Sequence, residues 1–405
     1  MKPRVALVVQ RCHERLVGGA EALAWQYAQL LAAHAEVEVL ASTASDYMKW
    51  DNDLAEGEER RDGVCIRRFR VERGRGDYFH ALHRLVLATF DASRGQPPGE
   101  RYGWPESLEE EFLHAQGPIC PGLVDHLAAH GDDYAAIFFL TYLYPPTLDG
   151  VRAIRHRRWA LVPCVHDEPP AYLRRVARIA RDAPRILWNT EAEQRLGARL
   201  WNVEHGNVVS MSVETTAVEP AREANPYLLY CGRIDVNKGC ALLLDGFADW
   251  KRAHPQSKLE LVLTGHDVLG VGTRPGVRYL GFVDERRKFE LMAGALAFVQ
   301  PSPYESLSIV LLEAMAQRVP VIVNGACEAL VEHVEGSRSG AAFLGADELL
   351  AAIDRVVALD AAARAEEGAR ARSYVVERYG REQVTARLLA EVEALASNGS
   401  PEAGA

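Results

Sequence analysis

The stretch Pro303-Tyr304-Glu305-Ser306-Leu307-Ser308-Ile309-Val310-Leu311-Leu312-Glu313 decides how this chain is read. An apolar run over residues 295–299 precedes it and has the composition of a buried strand, while residues 308–317 have helical character. Glu305 therefore falls in a strand-to-helix loop, and Glu313 about one and a half turns into the helix. Ligands of parallel α/β sheets bind at such junctions.

The N–H groups at Leu307, Ser308, Ile309 and Val310 lack intrahelical acceptors, and the helix dipole makes this end positive, so it is a natural seat for phosphate. Carboxylates beside a diphosphate would repel it. The two glutamates are better suited to grip neutral hydroxyls on either side, and sugar hydroxyls, diphosphate and ribose hydroxyls in a row are the layout of a nucleotide sugar.

Three more elements carry chemistry. Residues 227–231 read as a buried strand that delivers Gly232-Arg233-Ile234-Asp235-Val236-Asn237-Lys238-Gly239 ahead of a helix over 240–252. Arg233 and Lys238 stand at this strand end, where fixed cations can neutralise a leaving diphosphate without a metal. Lysine is scarce here: only Lys2, Lys49, Lys238, Lys251, Lys258 and Lys288 occur. Near the N-terminus a strand over 5–9 leads into Gly18-Gly19-Ala20-Glu21 and a helix to about residue 34, where glycines let backbone approach phosphate closely. A strand-like run over 159–165, interrupted by Pro163, ends in His166-Asp167-Glu168. His166 can donate to or accept from a sugar hydroxyl, although a histidine in that place also suits a structural role.

In this order, with Leu263-Thr264-Gly265 and Tyr279-Leu280-Gly281-Phe282-Val283, these elements resemble the retaining GT-B glycosyltransferases of glycosyltransferase family four (glycosyl transferases group 1), over residues 1–391. The resemblance implies two Rossmann-like α/β domains facing across a cleft, with a C-terminal helix crossing back to the N-terminal domain. It implies transfer, with retention, of a hexose from a nucleoside diphosphate sugar (a UDP- or GDP-sugar) to a glycan or lipid-linked acceptor, in bacterial surface polysaccharide or glycolipid assembly. Arg233 and Lys238 would hold the diphosphate, Glu305 the sugar hydroxyls and Glu313 the ribose, with His166 beside the donor sugar and the acceptor. Gly18, Gly19, Gly232, Gly265, Leu307, Ser308 and Ile309 would line the nucleotide sugar, and Val283 and Asp284 would border the base. Neither a metal nor another cofactor is expected. Two other readings stay open: a nucleotide-sugar epimerase or hydrolase of the same architecture, and a catalytically silent donor-binding homologue. One departure from the family's pattern matters, because Ser308 stands where a glycine is usual. Serine suits a helix N-cap but lacks glycine's freedom.

Alternating strand and helix signals along both halves suit parallel sheets covered by helices. The expected organisation is an acceptor-binding domain over 1–210, a linker over 211–226, a nucleotide-sugar domain over 227–380, a crossover helix over 381–395 and a flexible tail over 396–405. Thr190 and Glu193 have the spacing of a capping box. Asp51-Asn52-Asp53 imitates a metal-binding motif but lies in an acidic loop, and Gly270-Val271-Gly272 lacks the helix that a dinucleotide loop needs.

A formal net charge of −10 argues against general nucleic-acid binding, and 48% hydrophobic residues exclude wholesale disorder. Seven cysteines without a Cys-x-x-Cys pair suit reduced thiols in a cytoplasmic protein. Residues 172–181 put Leu173, Val176, Ala177 and Ala180 on one helical face and Arg174, Arg175, Arg178 and Arg181 around the other. That pattern fits peripheral contact with an anionic membrane at its inner face, and equally a solvated helix in an arginine-rich chain.

Overall fold

The computed structural model describes residues 2–13 and 18–397, so the end of the expected tail lies outside the described residues. The chain forms two units, one holding residues up to Met211 together with those from Thr385, the other Ser212–Val384.

The strands of the first unit are β1 (Arg4–Arg11), β2 (Glu36–Ser42), β3 (Gly57–Arg61), β4 (Val64–Phe69), β5 (Ala136–Leu140), β6 (Trp159–Val162), β7 (Arg185–Trp188) and β8 (Asn207–Val208). Its helices are α1 (Gly19–Leu31), α2 (Phe79–Ala92), α3 (Glu106–Ala115), α4 (Pro121–His130), α5 (Pro145–Ala153), α6 (Arg174–Asp182) and α7 (Glu191–Trp201). The strands lie in the order β3-β4-β2-β1-β5-β6-β7-β8, all parallel except the β3–β4 hairpin. β1 and β5 are buried along nearly their whole length because helices cover both faces, hence their continuous apolar runs. The core gathers Trp50, Phe112, Phe139, Trp188 and Trp201.

Glu56, Glu58 and Glu59 continue the acidic stretch around Asp51–Asp53 and suggest a loop, but the structure makes residues 57–61 the strand β3. Its Glu58, Glu59, Arg60 and Arg61 carry no apolar alternation, so hydrophobic pattern could not reveal it. The turn that makes it, Asp62-Gly63 with both residues at positive φ, is a recognised hairpin signal.

The second unit has β9 (Tyr227–Cys231), β10 (Glu260–Thr264), β11 (Val277–Tyr279), β12 (Ala297–Gln300), β13 (Val321–Asn324) and β14 (Ala341–Phe343). Its helices are α8 (Cys240–Ala253), α9 (Glu285–Gly294), α10 (Ile309–Ala316), α11 (Glu328–Ser337), α12 (Ala346–Ala358) and α13 (Ala361–Tyr379). Its sheet runs β11-β10-β9-β12-β13-β14, wholly parallel, over a core that includes Tyr230, Phe247 and Trp250. The expected linker is bound along its length. Val213 N–H donates to the Tyr379 carbonyl at 3.0 Å, and Ala221 N–H to the Glu290 carbonyl at 2.8 Å. From Ser212 onward it belongs to the second unit, where its backbone groups find partners. α14 (Arg381–Ser397) ends the described chain, and its Glu391 carboxylate receives the Arg185 guanidinium within the first unit.

Candidate functional site

Successive strands of the second unit run outward from β9 to β11, and the chain then returns to start again at β12 on the other side of β9. The order reverses between β9 and β12, which leaves a crevice at their carboxyl ends. Both loops singled out in the sequence leave the sheet there, residues 232–239 from β9 and 301–308 from β12.

Backbone packing fixes the first loop. Gly232 and Gly265 have φ of 148° and 122°, and a Cβ on Gly265 would lie 2.0 Å from the Gly232 carbonyl oxygen. Gly239, at φ 71°, would place a Cβ 2.1 Å from the Pro301 carbonyl oxygen, so glycine there lets the two loops meet. Asp235, buried, accepts the Arg233 guanidinium and, at 2.9 Å, the Lys238 N–H. The Lys238 ammonium donates to Glu305 Oε1 at 2.7 Å. Arg233, Lys238 and Glu305 are thus assembled in one place, and each charge has an opposite charge beside it.

Ser308 corrects an expectation. It adopts the left-handed conformation, φ 66° and ψ 81°, at the start of α10, and its side chain makes no cap bond. The hydroxyl instead receives Gln300 Nε2 at 2.8 Å. The loop keeps the left-handed turn in which glycine is comfortable and bears the cost of a Cβ there, with the buried Gln300 contact helping to hold it. The first N–H groups of α10, at Ile309 and Val310, still lack intrahelical acceptors, while Leu311 N–H and Leu312 N–H donate to the Ser308 carbonyl at 3.2 and 3.3 Å. Beneath the loop, the fully buried His333 donates its Nε2–H to the Leu307 carbonyl at 2.8 Å, and its Nδ1 lies 3.1 Å from the Tyr374 hydroxyl. Burial depresses its pKa to about 4, so the imidazole that supports the loop is neutral.

Glu313 does not stand open either. Both its oxygens accept the Lys288 ammonium of α9 at 2.9 Å. Burial pushes its pKa up, and Lys288 opposes that shift. Val283 and Asp284 lead into α9, where the Asp284 carboxylate caps the helix by accepting Arg287 N–H at 2.8 Å. Phe282 beside them is 83% exposed.

His166, Gly18 and Gly19 belong to the first unit. Gly18 is extended, at φ −145°, and a Cβ on it would lie 2.1 Å from Glu21 Oε2. A side chain there would press on the Glu21 carboxylate, which accepts Arg11 Nε at 2.9 Å. Gly19 is exposed, and a Cβ on it would meet no described residue within 4 Å. Trp25, Gln29 and Arg61 line a cavity of about 500 Å³ that Glu21 also borders. His166 is half-buried, with Nδ1 buried and unpartnered among the described residues. Glu193 fixes its loop from below, accepting Val165 N–H and Asn189 N–H, both at 2.6 Å. The capping box is therefore half made: Thr190 accepts Glu193 N–H at 3.0 Å, but the Glu193 carboxylate is drawn to Val165 and Asn189 instead of the Thr190 N–H.

The arginines of α6 are less free than their pattern implies. Arg174 is bound to the fully buried Glu109 at 3.1 Å, and Arg178 pairs with Glu106. Arg181 donates to the Ala177 carbonyl of its own helix. The Asp51–Asp53 loop is organised by Asn52, which exchanges hydrogen bonds of 2.8 and 3.0 Å with the Val71 backbone. Among the described residues no group of three or more His, Cys, Asp or Glu side chains is arranged to hold a metal ion, and no helix is long and apolar enough to cross a membrane. All seven cysteines are free. Sequence reasoning missed Asp235, Lys288, Gln300 and His333 as parts of the site. The scarcity of lysine was the one signal that could have drawn attention to Lys288.

Residues 225–359 match the family model described as Glycosyl transferases group 1. Mannosylfructose-phosphate synthase of Agrobacterium fabrum is 29% identical over 112 residues, 24% of this chain and 25% of that protein. O-antigen chain mannosyltransferase B of Escherichia coli is 36% identical over 108 residues, 24% of this chain and 28% of that protein. The chain thus matches about a quarter of the length of these curated relatives. The fold extends much further than the sequence likeness. Sucrose-phosphate synthase of Thermosynechococcus elongatus superposes with a TM-score of 0.69 at 18% identity, covering 98% of this chain and 100% of that one. Anabaena HepE in complex with UDP and glucose gives 0.67 at 15%, covering 97% and 100%. Residues 225–359 are therefore a glycosyl transferases group 1 domain, in a chain that has the GT-B glycosyltransferase fold.

Proposed function

We propose that the chain transfers a sugar from a nucleoside diphosphate sugar to an acceptor hydroxyl, with retention at the anomeric carbon. The observation that carries this reading is the junction of Lys238 and Glu305, from two loops, at the point where the sheet order reverses. In this reading Arg233, Lys238 and the start of α10 take the charge that grows on the departing diphosphate. Glu305 accepts sugar hydroxyls, Glu313 accepts ribose hydroxyls, and the backbone at Val283 and Asp284 borders the base. Lys238 exchanges part of its contact with Glu305 for the phosphates, since one ammonium has three donors. No metal is required for this chemistry, because the cations are side chains. Uridine is the first base to test, since HepE of the same fold was solved with UDP and glucose.

His166 and the first unit are assigned to the acceptor, a glycan or lipid-linked sugar, and the whole to cytoplasmic assembly of surface polysaccharide or glycolipid. Contact with an anionic membrane would fall mainly to Arg175 and Arg181, since Arg174 and Arg178 are engaged with glutamates.

Thermal-shift measurements with UDP-, GDP- and ADP-sugars test the donor assignment, since a ligand of the native state raises Tm. One nucleotide class should stand out, and stabilisation by none would remove the reading. Donor consumed at full rate without acceptor, with epimer or free sugar as product, would favour the epimerase or hydrolase instead.

A further inference from the structure

Arg11, Arg67, Arg68, Arg174 and Arg185 of the first unit each meet a carboxylate. Arg75 meets none within 4 Å among the described residues. Its Nη atoms reach only Gln116 Oε1 at 3.5 Å and the Met48 thioether at 3.8 Å, and its Nε is buried without a partner. The guanidinium lies over the Phe79 ring, 4.3 Å from the centroid. His83 stacks on the same Phe79 at 5.5 Å and on Phe112 at 6.4 Å, and its Nδ1 is also buried without a partner. Burial pushes the pKa of both groups down, and the charge of Arg75 adds to the effect on His83. In a chain of net charge −10, a half-buried cation with no carboxylate in ion-pair range is costly.

The neighbourhood points to a ligand. Glu168 lies close enough to His83 to act on its charge, and the Glu168 carboxylate accepts the Tyr142 hydroxyl at 2.7 Å. Tyr144 and Asp46 lie near Arg75. Glu168 belongs to the same loop as His166, two residues on, so the unpaired cation stands on the acceptor side of the proposed reaction.

We propose that Arg75 and His83 form a phosphate-binding subsite of the first unit, which holds a phosphoryl group carried by the acceptor. A guanidinium fork and an imidazole N–H supply several donors to one phosphate, and the aromatic faces of Phe79 and Phe112 hold both groups in place. The same chemistry serves a soluble sugar phosphate and a lipid-linked phosphate. The inference rests on the assignment of the first unit to the acceptor.

Calorimetry of the full chain with inorganic phosphate, with a hexose 6-phosphate and with the unphosphorylated hexose tests it, with UDP titrated in parallel. Phosphate and hexose phosphate should bind, and Arg75→Met should weaken both about tenfold or more, the loss of one charge-assisted contact. Arg75→Lys and His83→Gln should fall between, while UDP affinity stays unchanged in all three. Sedimentation with phosphatidylcholine vesicles, with and without phosphatidic acid, separates the sources. Binding that needs phosphatidic acid and Arg75 points to a lipid phosphate, and absence of vesicle binding points to a soluble one. If neither phosphate nor vesicles bind, or if wild type and Arg75→Met bind them equally, the subsite is overturned and Arg75 only packs on Phe79. Should Arg75→Met fail to fold, Arg75→Lys and His83→Gln decide by the same comparison. Phosphate binding that depends on Arg75 in a protein that ignores every nucleotide would sink the donor reading and leave this site standing.

Discussion

The two units treat polar side chains at their strand ends differently. In the second, Arg233 rests on Asp235, Lys238 on Glu305 and Lys288 on Glu313. In the first, Gln10 Oε1, Thr141 Oγ1 and His166 Nδ1 are buried without a partner among the described residues, near the Arg11–Glu21 pair. Thr141 is also held at φ 68°, unusual for a β-branched residue. The second unit pairs its strand-end cations with its own carboxylates, although Gln300 Oε1 there is also buried without a partner. The first leaves side-chain donors and acceptors unpaired at its strand ends.

The largest effect should come from breaking the compensated side. Lys238→Ala or Arg233→Ala should cut turnover by about 10²–10³ with the fold intact, the cost of losing one preorganised stabiliser of developing charge. Steady-state transfer assays check this, and full activity in both variants would dismiss the diphosphate assignment. A smaller difference separates the two glutamates. Glu313→Gln and Lys288→Met should each weaken binding of the bare nucleoside diphosphate about tenfold, and Glu305→Gln should spare it while turnover falls. Equal losses in calorimetry for Glu305→Gln and Glu313→Gln would contradict the division into sugar and ribose contacts.

Much of this arrangement was legible in the sequence, and for a definite reason. β9 and the loop to Gly239 combine an apolar run with glycines and charges in a local order, so their place at a strand end follows from pattern alone. Lys288 and Glu313 lie on two different helices, and their pairing depends on how those helices pack. His333 and Arg75 were invisible for a related reason. Each is a lone polar residue whose meaning lies in what it touches. Ser308 shows a different limit, where residue preference predicted a cap and tertiary context imposed a left-handed turn.

His333 allows a finer test of the preorganised loop. Its folded pKa, about 4, lies below the ordinary histidine value near 6.5, so its neutral form contributes stability in full above that value. The contribution is lost as pH falls through about 4. His333→Gln should cost about 1–2 kcal/mol at neutral pH, and the gap to wild type should narrow on acidification, as urea unfolding at several pH values can show. A gap independent of pH would mean that the imidazole's titration is irrelevant to the loop. The smallest effect is expected at Arg181, exposed on α6. Arg181→Glu should shift stability by no more than about 0.5 kcal/mol in chemical unfolding. A strong loss of binding to anionic vesicles in that variant would restore the membrane role to α6.

The β3 hairpin has a consequence for the protein's life in a crowded solution. β3 is the outermost strand of an eight-stranded sheet, and an open edge of that kind is a template on which another chain can add a strand. Here the edge is only five residues long and reads Gly-Glu-Glu-Arg-Arg, with Arg67 and Arg68 of the next strand tied to Glu58 and Glu59. A stray strand would have to strip water from that row of charges before its first backbone bond formed. The residues that hid β3 from hydrophobic pattern are those that protect the sheet from aggregation.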